Sequence, residues 1–266
     1  MGTREIYTNP PLALTVVELR HPTSVPLHDA DQAALKTLLN NSFPIFKPAR
    51  QVIWAVTMPP ASESPEQTQT IIPRYMNRDR TAAITFRAEA IAIETTSYQR
   101  RSVLREILRE AVQARQKVAP VDGVERLGIR YINEVRAPVD SPADWAQWIA
   151  PALAGMTGLG GNHGGVQTWQ GMASFGTPLT GTVVRHGNFE GHAVDPSGDL
   201  RRASTPPPGP FYLMDLDSYW TPEDNTPPLD WELVEPRFNE AALCAYDLFQ
   251  DLITDRYRLE VLDRAQ

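Results

Sequence analysis

The stretch Leu127-Gly128-Ile129-Arg130-Tyr131-Ile132-Asn133-Glu134-Val135 sets Leu127, Ile129, Tyr131 and Val135 in one phase of period two, with Arg130 between apolar neighbours, which predicts a strand over residues 126–136. Arg130 then shares one strand face with Ile132, while Tyr131 and Asn133 share the other. Charged and amide groups on a central strand must find partners, because an unpaired buried charge costs several kcal/mol. Arg130 is therefore read either as a clamp between sheet and helix or as a pocket residue.

Upstream of this strand, residues 100–118 carry Val103, Ile107 and Ala111 in one row and Leu104, Leu108 and Val112 in the next, an amphipathic helix of about five turns. Before it, residues 81–87 and 90–98 read as a hairpin, with Ile91, Ile93 and Thr95 alternating. Earlier still come a strand at 12–19, a short helix at 31–39, a strand at 51–57, and a loop at 58–80 marked by Pro59, Pro60, Pro65 and Pro73. Downstream, Ser141-Pro142-Ala143-Asp144 starts a helix bearing Trp145, Trp148 and Ile149. Strands follow at 166–174, 180–186 and 210–219. Glu235-Pro236 then opens a helix with apolar positions 238, 241, 242, 245, 248, 249 and 252.

Both halves thus read as strands followed by a long helix. The segment Ile91–Tyr98 aligns with Tyr212–Tyr219, placing Glu94 on Asp215, Ser97 on Ser218 and Tyr98 on Tyr219. The expected fold is α+β: two related halves, each a mostly antiparallel sheet with a long helix packed on one face. Residues 1–140 would form the first half, 141–165 a helix and glycine-rich linker, and 166–266 the second half.

With 266 residues, 42% of them hydrophobic and 8% aromatic, the chain can bury one large core or two small ones, which excludes a disordered protein. No run approaches the roughly 18 apolar residues of a membrane span, and Met1-Gly2-Thr3-Arg4-Glu5 lacks the apolar region of a secretory signal. Cys244 is the only cysteine, so no disulfide or thiolate-clustered metal is expected. The expected setting is the cytoplasm, with no membrane association.

The net charge of −7 is unevenly divided. Residues 210–266 hold 13 acids and 4 arginines, a local −9, leaving 21 basic and 19 acidic side chains, or +2, on residues 1–209. Duplex nucleic-acid binders show a basic surplus somewhere, because phosphate neutralisation drives their affinity. None is present, and nucleic acid is not the expected partner.

The glycine-rich tract at 155–165 has a helix before it and a strand after it. A phosphate-cradling loop has the reverse order and, in the P-loop, a Lys-Ser/Thr, so the tract reads as a linker with a solvated His163. His186 and His192 bracket a predicted turn, and Asp215 and Asp217 share a strand face, but solvated surface explains both better than a metal site. Cys244, in an apolar helix, reads as core filler. Arg101, Arg105 and Arg109 form an i, i+4 row interleaved with Glu106 and Glu110, read as a mixed solvated face. No nucleophile elbow is present, so no catalytic residue, metal or cofactor is assigned. The candidate ligand-binding residues are Arg130, Tyr131, Asn133, Glu94 and Asp215.

The Leu-Gly-Ile-Arg-Tyr-Ile-Asn run at 127–133, together with Tyr7-x-Asn9-x-Pro11, Glu18-Leu19-Arg20, Leu216-Asp217, Phe249 and Ile253-Thr254-Asp255, resembles a sporadically distributed family of uncharacterised bacterial proteins of similar length. The resemblance spans nearly the whole chain, with Arg-Tyr-Ile-Asn as its signature. It implies a cytoplasmic protein with the uneven distribution of mobile defence or toxin–antitoxin modules, and it brings no reaction. The chain departs from the family at Glu134, where a basic residue is usual, in its glycine-rich linker, and in a Pro-rich insert at 205–210. The expected function is that of a non-enzymatic binding protein, an accessory or antitoxin-like partner of a product encoded nearby, with a homodimer compatible. The alternative is a small-ligand binder or enzyme with a pocket between the halves.

Overall fold

The strand read at 126–136 is β8 (Arg126–Val135), and it lies near the middle of a nine-stranded sheet in the computed structural model, which describes residues 7–54, 67–159 and 164–262. In chain order the other strands are β1 (Leu12–Arg20), β2 (Ile45–Phe46), β3 (Ala49–Trp54), β4 (Gln67–Ile72), β5 (Arg74–Met76), β6 (Ala82–Phe86) and β7 (Ala90–Thr95) before it. β9 (Gln170–Gly176), β10 (Thr180–Gly191) and β11 (Gly209–Trp220) come after. The sheet order is β2-β5-β6-β7-β1-β8-β11-β10-β9, and every neighbouring pair is antiparallel. β3 and β4 form a separate antiparallel pair. The architecture is mixed α and β. No helix among the described residues is long and apolar enough to cross a membrane.

The helices are α1 (Asp29–Leu39), α2 (Arg101–Val118), α3 (Pro151–Ala154), α4 (Trp231–Leu252) and α5 (Asp255–Glu260). They gather on one side of the sheet, where the odd-numbered residues of β1, β7 and β8 and the even-numbered residues of β11 form the core floor: Val17, Leu19, Ile91, Ile93, Leu127, Ile129, Tyr212, Met214 and Leu216 are all buried. The apolar stripes predicted for the two long helices close that core. Leu104, Leu108 and Val112 of α2, and Phe238, Ala241, Ala242 and Ala245 of α4, are buried against it. Period two in the strands thus meets period 3.6 in the helices, and among the described residues only one sheet face is covered by helix.

Several local readings differ from the structure. The segment 58–80, read as a loop, contains β4 and β5; β4 begins Gln-Thr-Gln-Thr and β5 spans three residues, so neither carries an apolar alternation to find. Residues 55–57 of the strand predicted at 51–57, and 58–66 of the loop, lie outside the described residues, as does His163. The helix expected after Ser141 is a 3₁₀ turn, Pro142–Gln147, closed by reciprocal bonds between Ser141 and Asp144. His186 and His192 do not bracket a turn, because β10 runs on through Gly191, with Gly187 admitting the backbone of Trp169. Cys244 is exposed rather than core: it lies one step outside the stripe formed by 238, 241, 242 and 245.

Candidate functional site

Among the described residues the opposite sheet face carries no helix, and the alternation that fills the core places charge there. Glu94 of β7, Val16 of β1, Arg130 of β8 and Asp217 of β11 stand in one cross-strand row. Arg130 reaches diagonally to Asp215, with Nε to Oδ1 and Nη2 to Oδ2 both at 2.6 Å, a fork that matches the carboxylate geometry. Arg185 of β10 approaches the same carboxylate at 3.8 Å. One turn of the pleat along, Arg126 Nη2 donates to both oxygens of Asp217 at 3.2 and 3.3 Å, and its guanidinium lies over the Tyr219 ring. Arg20 and Arg87 pair with Glu18 at 2.6 and 3.2 Å.

Around Asp215 and Glu18 the acid lies low and the arginines stand above it. The Asp215 side chain is 3% exposed, whereas those of Arg130 and Arg185 are 44% and 46% exposed. The hydrogen bonds that Arg130 donates to Asp215 hold its guanidinium pKa above the ordinary value. This face therefore presents cationic, planar donors to solvent while its own carboxylates orient them from below.

A strap of residues 192–208, between β10 and β11, crosses one end of the face. Its first anchor is Glu134, whose buried carboxylate accepts from the Ala193 N–H at 2.8 Å, from Arg136 at 2.8 Å and from Arg202 at 3.0 Å. Burial by itself pushes the Glu134 carboxyl up, but these three donors outweigh it and hold the group below its ordinary value. Further along, the Arg201 N–H donates to the Arg80 carbonyl, Leu200 packs on Met76 and Ala83, and Asp199 pairs with Lys47 and Arg74. Arg74 in turn binds Glu94 at 2.9 Å.

Of the five residues predicted for a ligand site, the structure brings Arg130 and Asp215 into direct contact. It places Glu94 on the same face, across β1 and engaged with Arg74. Tyr131 and Asn133 point the other way, into the core. Tyr131 packs edge-to-face on Tyr98, and Asn133 donates to the Met214 carbonyl at 3.1 Å, so no single pocket takes Arg130, Glu94 and Asn133 together. The structure adds Arg126, Arg185, Glu18 and Arg20, which sequence reasoning missed. Their signal was parity: Arg126 is four residues from Arg130 on the same strand face. The Pro-rich insert marked the strap, and Glu134, noted only as a departure, is its anchor.

Two grooves lie elsewhere. One of about 480 Å³ runs between α1 and α2, lined by Leu38, Glu106, Arg109 and Glu110; burial raises the Glu110 carboxyl above its ordinary value although Ser42 bonds it. The second, about 350 Å³, lies between α4 and the β9–β10 hairpin. Arg105 of the predicted arginine row pairs with Glu235 of α4 at 3.0 Å, tying that row to the acidic C-terminal segment. Among the described residues no cluster of three His, Cys, Asp or Glu side chains could hold a metal ion. No protein-family model matches the chain, and no curated protein matches it.

Proposed function

We propose that this chain is a non-enzymatic binding protein that takes a protein partner on the open face of its sheet. The observation that carries the reading is the layering of that face: exposed guanidinium groups of Arg20, Arg130 and Arg185 stand over carboxylates held at or below the surface. Oriented arginines over a broad strand surface suit contact with acidic and aromatic groups of another protein. On the likeness to the Arg-Tyr-Ile-Asn family, the partner is a product encoded nearby, and the chain is a cytoplasmic accessory or antitoxin-like component of a bacterial defence or toxin–antitoxin module.

The same reading takes the chain as two related halves. Outward from the β1–β8 pair, the order is β7-β6 on one side and β11-β10 on the other. In each direction the strand next to the pair, β7 or β11, leads into a long helix, α2 or α4. Glu94 and Asp215, aligned in the sequence, both face the open side.

Co-expression of the full chain with its neighbouring gene product tests the function. A stoichiometric complex is expected, and it is lost in Arg20→Glu/Arg185→Glu, whose substituted positions are exposed. A complex that survives both substitutions, or a chain that recovers no stoichiometric partner, overturns the reading.

A further inference from the structure

Residues 145–184 contain no Asp, Glu, Lys or Arg, forty consecutive positions in a chain that is 21% charged. Within this stretch lies β9, which forms one edge of the sheet. Positions 172–176 are all exposed, including Met172 and Phe175. Sheet edges are ordinarily guarded by charge, proline, a bulge or a covering element, because unpaired backbone groups recruit further strands. β9 has no charge and no proline, and it pairs with β10 in unbroken register.

The phase of that pairing shows which backbone groups remain free. The Thr177 N–H bonds the Thr180 carbonyl, and the Asn188 N–H bonds the Trp169 carbonyl, so the odd-numbered residues exchange their bonds with β10. In an antiparallel ladder bonding alternates residue by residue. The N–H and C=O groups of Gln170, Met172, Ser174 and Gly176 consequently point outward from the sheet.

We propose that β9 is a dimerisation edge, on which a second copy of this chain pairs antiparallel about a two-fold axis through Ala173, continuing the sheet from one subunit into the next. The register follows from the free groups, since an axis at Ala173 sets Met172 against the partner's Ser174, and Gln170 against the partner's Gly176, all with outward backbone groups. It also sets Phe175 opposite the partner's Gly171 and Met172 opposite the partner's Ser174, large against small. A second copy is the occupant that charge favours: each chain carries −7, and this is the segment on which two copies meet without like charges. Phe175 also lines the groove formed with Trp220, Cys244 and Leu248, so pairing draws the two grooves toward the axis. Because the axis is perpendicular to the sheet, both arginine faces lie on the same side of the dimer.

Sedimentation equilibrium of the full chain is the test, with circular dichroism to confirm folding. The wild type is expected to be a dimer in exchange with monomer. Ala173→Lys and Ala173→Glu, each of which sets like charges face to face at the axis, are expected to be folded monomers, and an equimolar mixture of the two regains the dimer. A monomeric wild type, a dimer that survives either substitution, or a mixture that stays monomeric overturns the proposal. So does finding that β9 pairs only with a different protein. The partner-binding reading of the arginine face does not depend on this outcome, because Ala173 points to the other side of the sheet.

Discussion

Arg130 holds Asp215 through two parallel 2.6 Å hydrogen bonds, and the two side chains differ more than tenfold in exposure, 44% against 3%. The pair is therefore asymmetric in what its loss leaves behind. Arg130→Ala removes both hydrogen bonds from a carboxylate set below the surface, leaving it Arg185 at 3.8 Å and the water that enters the opened gap, and is expected to cost ~2 kcal/mol. Asp215→Asn leaves a guanidinium that water can solvate, and is expected to cost ~1 kcal/mol or less. Urea denaturation of the two variants decides the matter: a larger loss for Asp215→Asn would show that the arginine, not the acid, is the buried partner.

Glu134 connects the strap to acid stability. Its donors hold the folded carboxyl below its ordinary value of 4.5, so on acidification the unfolded chain takes up this proton before the folded one does. The stabilisation is present above about pH 4.5 and is lost as the pH falls through the folded pKa. Glu134→Gln is expected to flatten that part of the stability–pH curve. It also loosens residues 192–208, so trypsin should cut after Arg201 and Arg202 faster than in the wild type at neutral pH. Unchanged cleavage would mean that Leu200 and Asp199 hold the strap without Glu134.

How far the sequence disclosed this architecture varied with the physics of each part. β8, α2, β11 and α4 were legible because a buried face imposes a strict period, as in Leu127, Ile129 and Tyr131 or in Phe238, Ala242 and Ala245. β4 and β5 were not, since Gln67–Thr70 carries no apolar pattern and β5 is defined by its pairing with β6 rather than by its own three residues. Within the candidate site, the facing of Arg130 against Tyr131 and Asn133 followed from parity. Its partnership with Asp215 is a diagonal contact between strands separated by 85 positions, and no local pattern encodes the register that creates it. Glu134 looked like an isolated charge because its partners, Ala193 and Arg202, lie in a segment without periodicity.

A buried histidine, His21, and a half-buried one, His186, give the chain a second, milder pH dependence. Burial lowers His21, which the carbonyl of Pro22 opposes and nearby Arg115 reinforces, and burial also lowers His186. The Tyr212 hydroxyl donates to the Leu153 carbonyl, so its single proton is committed and His186 donates from Nδ1 to the Tyr212 oxygen, 2.7 Å away. Both rings are thus held neutral in the folded chain. As the pH falls below about 6.5 the unfolded chain protonates first, and stability declines by at most about 1.4 kcal/mol per pH unit for each ring. His21→Phe should reduce the slope between pH 6.5 and 5, and adding His186→Phe should reduce it again, in denaturation curves measured across that range. A slope unaffected by either change would show that both rings ionise in place.

The glycine-rich tract separates into positions that the fold requires and positions that it does not. Gly155 has φ +50° and ψ −116°, and a Cβ there would lie 2.4 Å from the Trp169 ring. That ring cannot easily move aside, because its Nε1 donates to the Leu153 carbonyl at 2.8 Å. Gly158, three residues on, has nothing within 4 Å of its would-be Cβ, and its φ lies outside the left-handed region. Gly155→Ala is therefore expected to cost about 1–3 kcal/mol through strain and the displaced indole. Gly158→Ala should be neutral or stabilise by a few tenths of a kcal/mol, through the reduced freedom of the unfolded chain. Thermal melts, with tryptophan fluorescence reporting the indole environment, separate the two. If Gly155→Ala were as harmless as Gly158→Ala, the packing of Trp169 against this turn would not be part of the folded state, and the tract would be a plain linker throughout.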